Sequence, residues 1–237
     1  MSSFFLYQQV KDNIIAMIEN HRLKPGDKIP SERELSRKFN IGRMTIRQGI
    51  TELVNEGVLY RVQGRGTFVN LKPIRQPLGK LMSFTEEIRN LGYEPGAKLI
   101  DKAIIEADHE IALNLKIRDK EKVIKAVRLR FVDNEIFSLN FSYFSYEKFP
   151  EIMNMDLGCL SLYKMIEEKL GFKIKKAVET LGATSASNDV AKIMKIKKDT
   201  PLLLMKRTTY VMKDTPIEFV RVFFLPDKYN FEIQLSK

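Results

Sequence analysis

The hydrophobic period of this chain changes once, and that change bounds what it can fold into. Up to residue 57 apolar side chains recur at helical spacing. Tyr7, Val10, Ile14, Met17 and Ile18 place an amphipathic helix over 5–21. Lys24-Pro25-Gly26-Asp27 breaks it. Ser31 is followed three residues on by Glu34, the spacing of a capping box, and Leu35 and Phe39 form the inner face of a short helix. Asn40-Ile41-Gly42 makes a tight connection, since Asn and Gly both tolerate left-handed backbone angles. A second helix turns Ile46, Ile50, Leu53 and Val54 inward, and Gly57 stops it. Short helix, tight turn and longer helix make a helix-turn-helix pattern.

Leu59-Tyr60-Arg61-Val62 and Thr67-Phe68-Val69 then read as two short strands around Gln63-Gly64-Arg65-Gly66, a hairpin that forms a wing. Residues 71–80, with Pro73 and Pro77, read as a semi-rigid linker between a domain at 1–70 and another at 81–237. Beyond it strand-like runs dominate, at 99–105, 122–132, 136–144, 173–183, 202–212, 216–225 and 231–235. Helical stretches fall at 83–91, 108–115, 161–170 and 187–195. The second part is therefore expected to be α+β with a largely antiparallel sheet, with hairpin turns at Asp133-Asn134 and Lys213-Asp214 and no internal repeat.

Composition excludes several classes. The longest apolar run, Ile14 to Ile18, is far short of the roughly 20 residues of a membrane span. No secretory signal is expected at the N-terminus. One cysteine, Cys159, forbids an intramolecular disulfide, and with only His21 and His109 beside it neither a metal site nor a cofactor is expected. Both histidines read as surface or cap residues, and Cys159 as packing. A reducing cytoplasm is the expected compartment. The net charge is +10, which favours polyanion partners. It is spread, however: residues 1–70 carry 11 basic and 7 acidic side chains, and residues 71–237 carry 29 and 23.

Placement of the basic residues is more informative. The second helix of the motif opens Gly42-Arg43-Met44-Thr45-Ile46-Arg47. With Ile46 inward, Arg43 and Arg47 share an outward face with Thr45 nearby, where a recognition helix meets base edges. Arg33, at the start of the preceding helix, is placed to clamp the backbone or reach into the groove. Glycines on both sides of Arg65 let the wing tip, Gly64-Arg65-Gly66, approach a phosphate or a narrow minor groove. Any one of these arginines is equally an ordinary solvated residue; their order along the motif points to double-stranded DNA.

The runs Ile29-Pro30-Ser31-Glu32-Arg33-Glu34-Leu35, Arg43-Met44-Thr45-Ile46-Arg47-Gln48, Gly57-Val58-Leu59-Tyr60-Arg61 and Gly64-Arg65-Gly66-Thr67-Phe68-Val69 resemble the GntR family of bacterial transcription regulators over residues 6–70. The resemblance implies a winged helix that binds a palindromic operator as a homodimer, with Ser31, Arg33, Arg43, Thr45, Arg47, Gly64, Arg65 and Gly66 at the DNA. Gly42 stands where the family often has Ser.

In the second part, Val127, Leu129 and Phe131 alternate with Arg128 and Arg130. Ser138, Asn140 and Ser142 share a face opposite Phe137, Leu139, Phe141 and Tyr143. A three-residue loop at 133–135 sets Arg130 against Ser138 and Arg128 against Asn140, giving one polar and one apolar surface, whereas a two-residue loop mixes them. The residues alone leave two readings of the polar surface open: a solvated outer face, or a site for phosphate or carboxylate assisted by a helix starting near Ser161.

Ser83-Phe84-Thr85-Glu86-Glu87, Val127-Arg128-Leu129-Arg130, Ser161-Leu162-Tyr163, Pro201-Leu202-Leu203-Leu204, Lys206-Arg207-Thr208-Thr209-Tyr210 and Asp227-Lys228-Tyr229 resemble the UTRA effector-binding domain of the HutC subfamily, whose fold is similar to chorismate lyase. In sugar-phosphate sensors of that subfamily the positions matching Thr85, Arg128, Arg130 and Ser161 hold the phosphate. Phe84 matches a residue beside the ligand and Glu218 an acid that contacts the sugar. Asn140 and Phe224 depart from the Glu and Tyr of those sensors. The resemblance thus implies a cytoplasmic repressor released by a small phosphorylated metabolite. The similarity to chorismate lyase also raises an alternative, an enzyme acting on a small organic acid, although no nucleophile–base pair is visible in the sequence.

Overall fold

The computed structural model describes residues 3–20, 22–70, 74–77 and 81–232, so His21 lies outside the described residues. Contacts divide the chain near residue 74 into two units.

In the first unit, α1 (Ser3–Glu19), α2 (Glu32–Phe39) and α3 (Arg43–Asn55) precede a hairpin of β1 (Leu59–Val62) and β2 (Gly66–Val69). Val10, Ile14, Leu35, Ile46, Ile50 and Leu53 make the core, the inward positions of all three helices. Gly49 sets how closely α1 and α3 approach, because a Cβ there would lie 2.8 Å from Val10 Cγ1. Ser31 and Glu34 form the capping box: the Ser31 amide donates to Glu34 Oε2 at 2.7 Å, and the Glu34 amide donates to Ser31 Oγ at 3.3 Å. Asn40 takes the left-handed conformation, φ 55°, that ends α2 and turns the chain into α3.

Residues 74–77, inside the stretch read as a linker, form strand β3 (Ile74–Pro77); the rest of 71–80 lies outside the described residues. The second unit then runs α4 (Phe84–Asn90), β4 (Pro95–Glu106), α5 (His109–Leu115), β5 (Lys122–Val132), β6 (Glu135–Ser145), α6 (Leu162–Leu170), β7 (Lys176–Ser185), α7 (Asn188–Met194), β8 (Pro201–Tyr210), β9 (Pro216–Phe224) and β10 (Tyr229–Glu232). β10 pairs with β3, and residues 233–235 of the expected last strand lie outside the described residues. The hairpin turn expected at Lys213-Asp214 joins β8 to β9 and takes the form of a 3₁₀ turn at Met212–Asp214; a second 3₁₀ turn at Pro150–Asn154 was not foreseen.

The main sheet is antiparallel with six strands in the order β4-β5-β6-β9-β8-β7. One face carries Val127, Leu129, Leu139 and Leu202 against α7, and Val123, Tyr143 and Phe219 against α5. The other carries Ile124, Ala126, Phe144 and Ile217 against α6. Both faces are therefore covered.

This order corrects the expectation of no internal repeat. Asp108 caps α5 and Ser187 caps α7; each helix ends on a left-handed lysine, Lys116 and Lys195; left-handed Lys120 and Asp199 then lead into β5 at Lys122 and β8 at Pro201. Each residue of the second set carries the number of its counterpart plus 79 (Asp108 to Ser187, Lys122 to Pro201). Two copies of one strand–helix–strand–strand unit meet edge to edge at β6 and β9. The sequence hid this because only hydrophobic and cap character persists, as in Ile111-Ala112 and Val190-Ala191.

Candidate functional site

The β5–β6 hairpin decides where the two arginines point. Asp133 and Asn134 both have positive φ, 47° and 66°, and form a two-residue turn, with Val132 opposite Glu135. The expected three-residue loop is thus corrected. The expected register nevertheless holds: Arg130 faces Ser138 and Arg128 faces Asn140, because the pairing shifts between Arg130 and Phe131 and leaves Phe137 as an extra residue on β6. The bulge also moves Phe137 off the apolar face assigned to it. Its ring packs 5.6 Å from that of Phe84, 5.4 Å from Tyr229 and 6.1 Å from Phe224.

Arg128 and Arg130 are only 4% and 2% exposed, so the solvated-face reading is overturned. They lie under the loop before α6 and the start of α4. Arg128 donates to the Cys159 carbonyl, and Arg130 donates to the Leu160 carbonyl at 2.9 Å and to Thr85 Oγ1 at 3.3 Å. The Arg130 guanidinium also lies 4.4 Å from the Phe84 ring centre. The buried Nε–H groups of both arginines have no hydrogen-bond partner among the described residues. Burial lowers the Arg130 pKa to about 9, with Arg128 repelling it, and burial lowers Arg128 as well. Two like charges with spare donors in one dry place suit an anion.

A small cavity of about 70 Å³ lies above them. Phe84, Thr85, Arg128 and Arg130 line it, and so do Asn140, Ser161, Glu218 and Phe224. Ser161 is the N-cap of α6, its Oγ accepting from the Lys164 amide at 3.3 Å. Ser138 donates its hydroxyl to Asn140 Oδ1 at 3.1 Å. Glu218 is fully buried; burial raises its pKa against the Ser142 hydroxyl, Arg128 and Arg207. Phe224 stacks on Tyr229 at 4.3 Å.

Sequence reasoning missed Glu87, Tyr163, Arg207 and Tyr229, which also line the cavity. Arg207 is paired with Glu179 of β7 and donates to Tyr163 Oη at 3.3 Å. Tyr229 donates to Glu87 at 3.0 Å. The alternation of β8 held the signal for Arg207, but no register across six strands was available to use it.

Burial raises the Glu87 pKa from 4.5 to about 7, Tyr229 and Arg207 opposing. Below pH 4.5 folded and unfolded chains are both protonated there. As the pH rises toward 7 the folded chain holds a proton the unfolded chain has lost, so this group's contribution falls, by about 3 kcal/mol above pH 7. Glu87→Gln is expected to raise the melting temperature at pH 8 and flatten its dependence between pH 5 and 8. An unchanged pH slope would show that Glu87 ionises normally.

At the other unit, Gly64 and Arg65 of the wing tip and Gly42, Arg43 and Met44 at the opening of α3 are exposed. Arg33, Arg43 and Arg65 are exposed, and Thr45 is half-buried. Arg47 is held: its Nε and Nη2 donate to Glu32 at 3.1 and 2.9 Å, which raises its pKa. The two arginines read as an equivalent outward pair are therefore not equivalent. The Ser31 hydroxyl is likewise engaged, donating to Glu34 at 2.7 Å. Gly42 begins α3 without a side-chain cap. Gly64 and Gly66 have φ of 73° and 124°, and a Cβ on Gly66 would meet Lys28 Cε at 2.5 Å. Met44, 73% exposed beside Arg43, is an apolar contact the sequence reading passed over.

Comparison with known proteins bears on both surfaces. Residues 6–69 match the bacterial regulatory proteins of the gntR family, and residues 90–230 match the UTRA domain. The transcriptional repressor NagR of Bacillus subtilis is 35% identical over 226 residues, which cover 95% of this chain and 93% of that protein. The chain belongs to the GntR family. The mannosyl-D-glycerate transport/metabolism system repressor MngR of Escherichia coli is 25% identical, covering 96% of this chain and 95% of that one. The histidine utilization repressor of Pseudomonas putida is 26% identical, covering 98% and 92%. The crystal structure of PhnF from Mycobacterium smegmatis superposes with a TM-score of 0.69 at 27% identity, covering 96% of this chain and 99% of that one. GntR regulators bind operator DNA, and UTRA domains bind small-molecule effectors. These families are transcriptional regulators, not enzymes, and the enzyme alternative is not favoured. No described helix is long and apolar enough to cross a membrane.

Proposed function

We propose that this GntR regulator is a cytoplasmic repressor that leaves its operator when a phosphate monoester of a sugar occupies the cavity of the second unit. The observation that carries the reading is the buried pair Arg128 and Arg130: among the described residues their Nε–H groups have no hydrogen-bond partner and their other donors hold only backbone carbonyls and a hydroxyl. A phosphate offers the charge and the several acceptor oxygens these donors require. Thr85 and the Ser161 end of α6 complete the phosphate end, while Phe84, Asn140, Glu218 and Phe224 surround the body of the ligand. The names of MngR and of the Escherichia coli fructoselysine utilization operon repressor attach those relatives to sugar compounds, which supports a sugar here.

On the DNA side, Arg43 and Thr45 enter the major groove, and Arg47 joins them after exchanging Glu32 for DNA. Arg33 and Ser31 meet the backbone, and Gly64-Arg65-Gly66 follows the adjoining groove. A homodimer on a palindromic operator spaces its two recognition helices by about 34 Å or a multiple of it. Effector release then requires that the ligand bind the DNA-free state more tightly than the DNA-bound one.

A panel of sugar phosphates, the matching free sugars and unrelated organic acids tests this by melting temperature. An effector at 100 times its Kd stabilises the fold by about 2.7 kcal/mol. The expected result is a rise with a sugar phosphate and none with its free sugar, with the same compound releasing operator DNA. A response to an organic acid with silence across the phosphates would overturn the phosphate assignment.

A further inference from the structure

The step of 79 residues that carries α5 onto α7 and the start of β5 onto the start of β8 also carries Arg128 onto Arg207. Both arginines are seventh in their strands, and both line the same cavity. We infer that Arg207, the counterpart of Arg128 in the second half of the repeat, is the specificity-determining residue that binds uncharged oxygens on the body of the effector. This rests on the phosphate reading of Arg128 and Arg130.

The placement follows from the sheet. Arg128 stands in one cross-strand row with Asn140, Val222 and Met205. Arg207 stands one step further along β8, opposite Val220. From β5 to β8 is three strand spacings, about 14 Å, so the two guanidinium groups approach the cavity from opposite ends. Val220, Val222 and Met205 make an apolar floor between them.

The two ends differ in charge. Arg128 and Arg130 adjoin each other, and the buried acid Glu218 acts on both Arg128 and Arg207. Arg207 is paired with Glu179, which neutralises it. The first end therefore suits a dianion and the second suits neutral hydroxyl or carbonyl oxygens. Arg207 also has donor capacity to give: Nη1 reaches Tyr163 at 3.3 Å, and among the described residues Nη2 meets only the Met205 sulfur, at 3.8 Å, a weak acceptor. A ligand oxygen displaces that sulfur contact readily. The effector is then an ester with one phosphate and a neutral, oxygen-bearing body long enough to reach the second half of the repeat.

The test measures calorimetric affinities of the full chain for glycerol 1-phosphate and for the 6-phosphates of glucose, mannose, fructose and glucosamine. At least one hexose ester is expected to bind 10-fold or more tightly than glycerol 1-phosphate. Arg207→Met is expected to erase that advantage, a loss of 10- to 100-fold, while glycerol 1-phosphate stays within about twofold. Arg207→Lys keeps the charge opposite Glu179 but not the planar fork, and restores part of the advantage. If Arg207→Met lowers the melting temperature of the free protein, the double variant Glu179→Leu/Arg207→Met removes the stranded charge and is measured in its place. A hexose advantage that survives the loss of Arg207, an equal loss for both kinds of ester, or no hexose ester that outbinds glycerol 1-phosphate overturns the inference. The phosphate reading fails separately, if Arg128→Ala leaves both kinds of ester bound as before. Wild-type protein that binds none of the esters overturns both.

Discussion

Arg128→Ala is expected to leave operator binding within about twofold of the wild type and to remove the response to a phosphate effector. Arg128 is 4% exposed and lines the cavity, one Nη donating to the Cys159 carbonyl and its Nε–H having no hydrogen-bond partner among the described residues. Charge-assisted hydrogen bonds are worth about 1.5–3 kcal/mol each, so losing one or two weakens phosphate binding by roughly 10- to 10⁴-fold. The variant is expected to fold. Removing one of two buried like charges relieves the repulsion that, with burial, lowers Arg130 to about 9. That gain opposes the void left by the side chain and the Cys159 carbonyl it abandons. Operator release titrated with the compound that stabilises the wild-type chain measures the effect. A normal titration by a folded Arg128→Ala protein would falsify the sensor assignment.

Arg43→Ala is expected to weaken operator binding by roughly 10- to 100-fold, the range of about 1–3 kcal/mol for a bidentate arginine–guanine contact. Arg43 is exposed at the first helical position of α3 and makes no hydrogen bond or ion pair among the described residues. Nothing internal is lost with it, so the melting temperature should not move. Arg47→Ala should lose less, because Arg47 must first give up its pair with Glu32. Glu32→Gln loosens that pair and removes a negative charge facing DNA, so it should raise affinity. Fluorescence anisotropy at fixed salt, on the operator and on an unrelated duplex, separates base reading from phosphate attraction. Arg43→Ala that binds the operator as the wild type does would take this arginine out of the recognition surface.

The β5–β6 hairpin shows why a correct register came with an incorrect loop. The alternation of Arg128 and Arg130 with apolar neighbours demanded that Arg130 face Ser138. Simple pairing reached that register only through a three-residue loop. The chain meets the demand with a two-residue turn, for which Asp133 and Asn134 supply the positive φ angles, and a bulge at Phe137. Bulges leave little trace in hydrophobic period, because one inserted residue is apolar whichever face it joins. The bulge brings Phe137 into ring contact with Phe84, Phe224 and Tyr229 beside the cavity, a cluster drawn from four separate elements.

Local chemistry determined much of this protein in sequence. The Ser31–Glu34 box, the left-handed Asn40, the inward Ile46 and Ile50 and the glycines around Arg65 each act within a few residues, so the helix-turn-helix and its wing were legible along the chain. The same holds for the alternation that put Arg128 and Arg130 on one side of a strand. Only the tertiary structure decided that this side is buried, because burial depends on the loop at Cys159 and Leu160 and on α4 folding over it from some 30 and 40 residues away. It also decided that Arg207 returns to the same cavity and that Glu32 holds Arg47. Those are contacts between elements whose sequence separation carries no periodic signal, and they form only once the sheet order and register bring the side chains together.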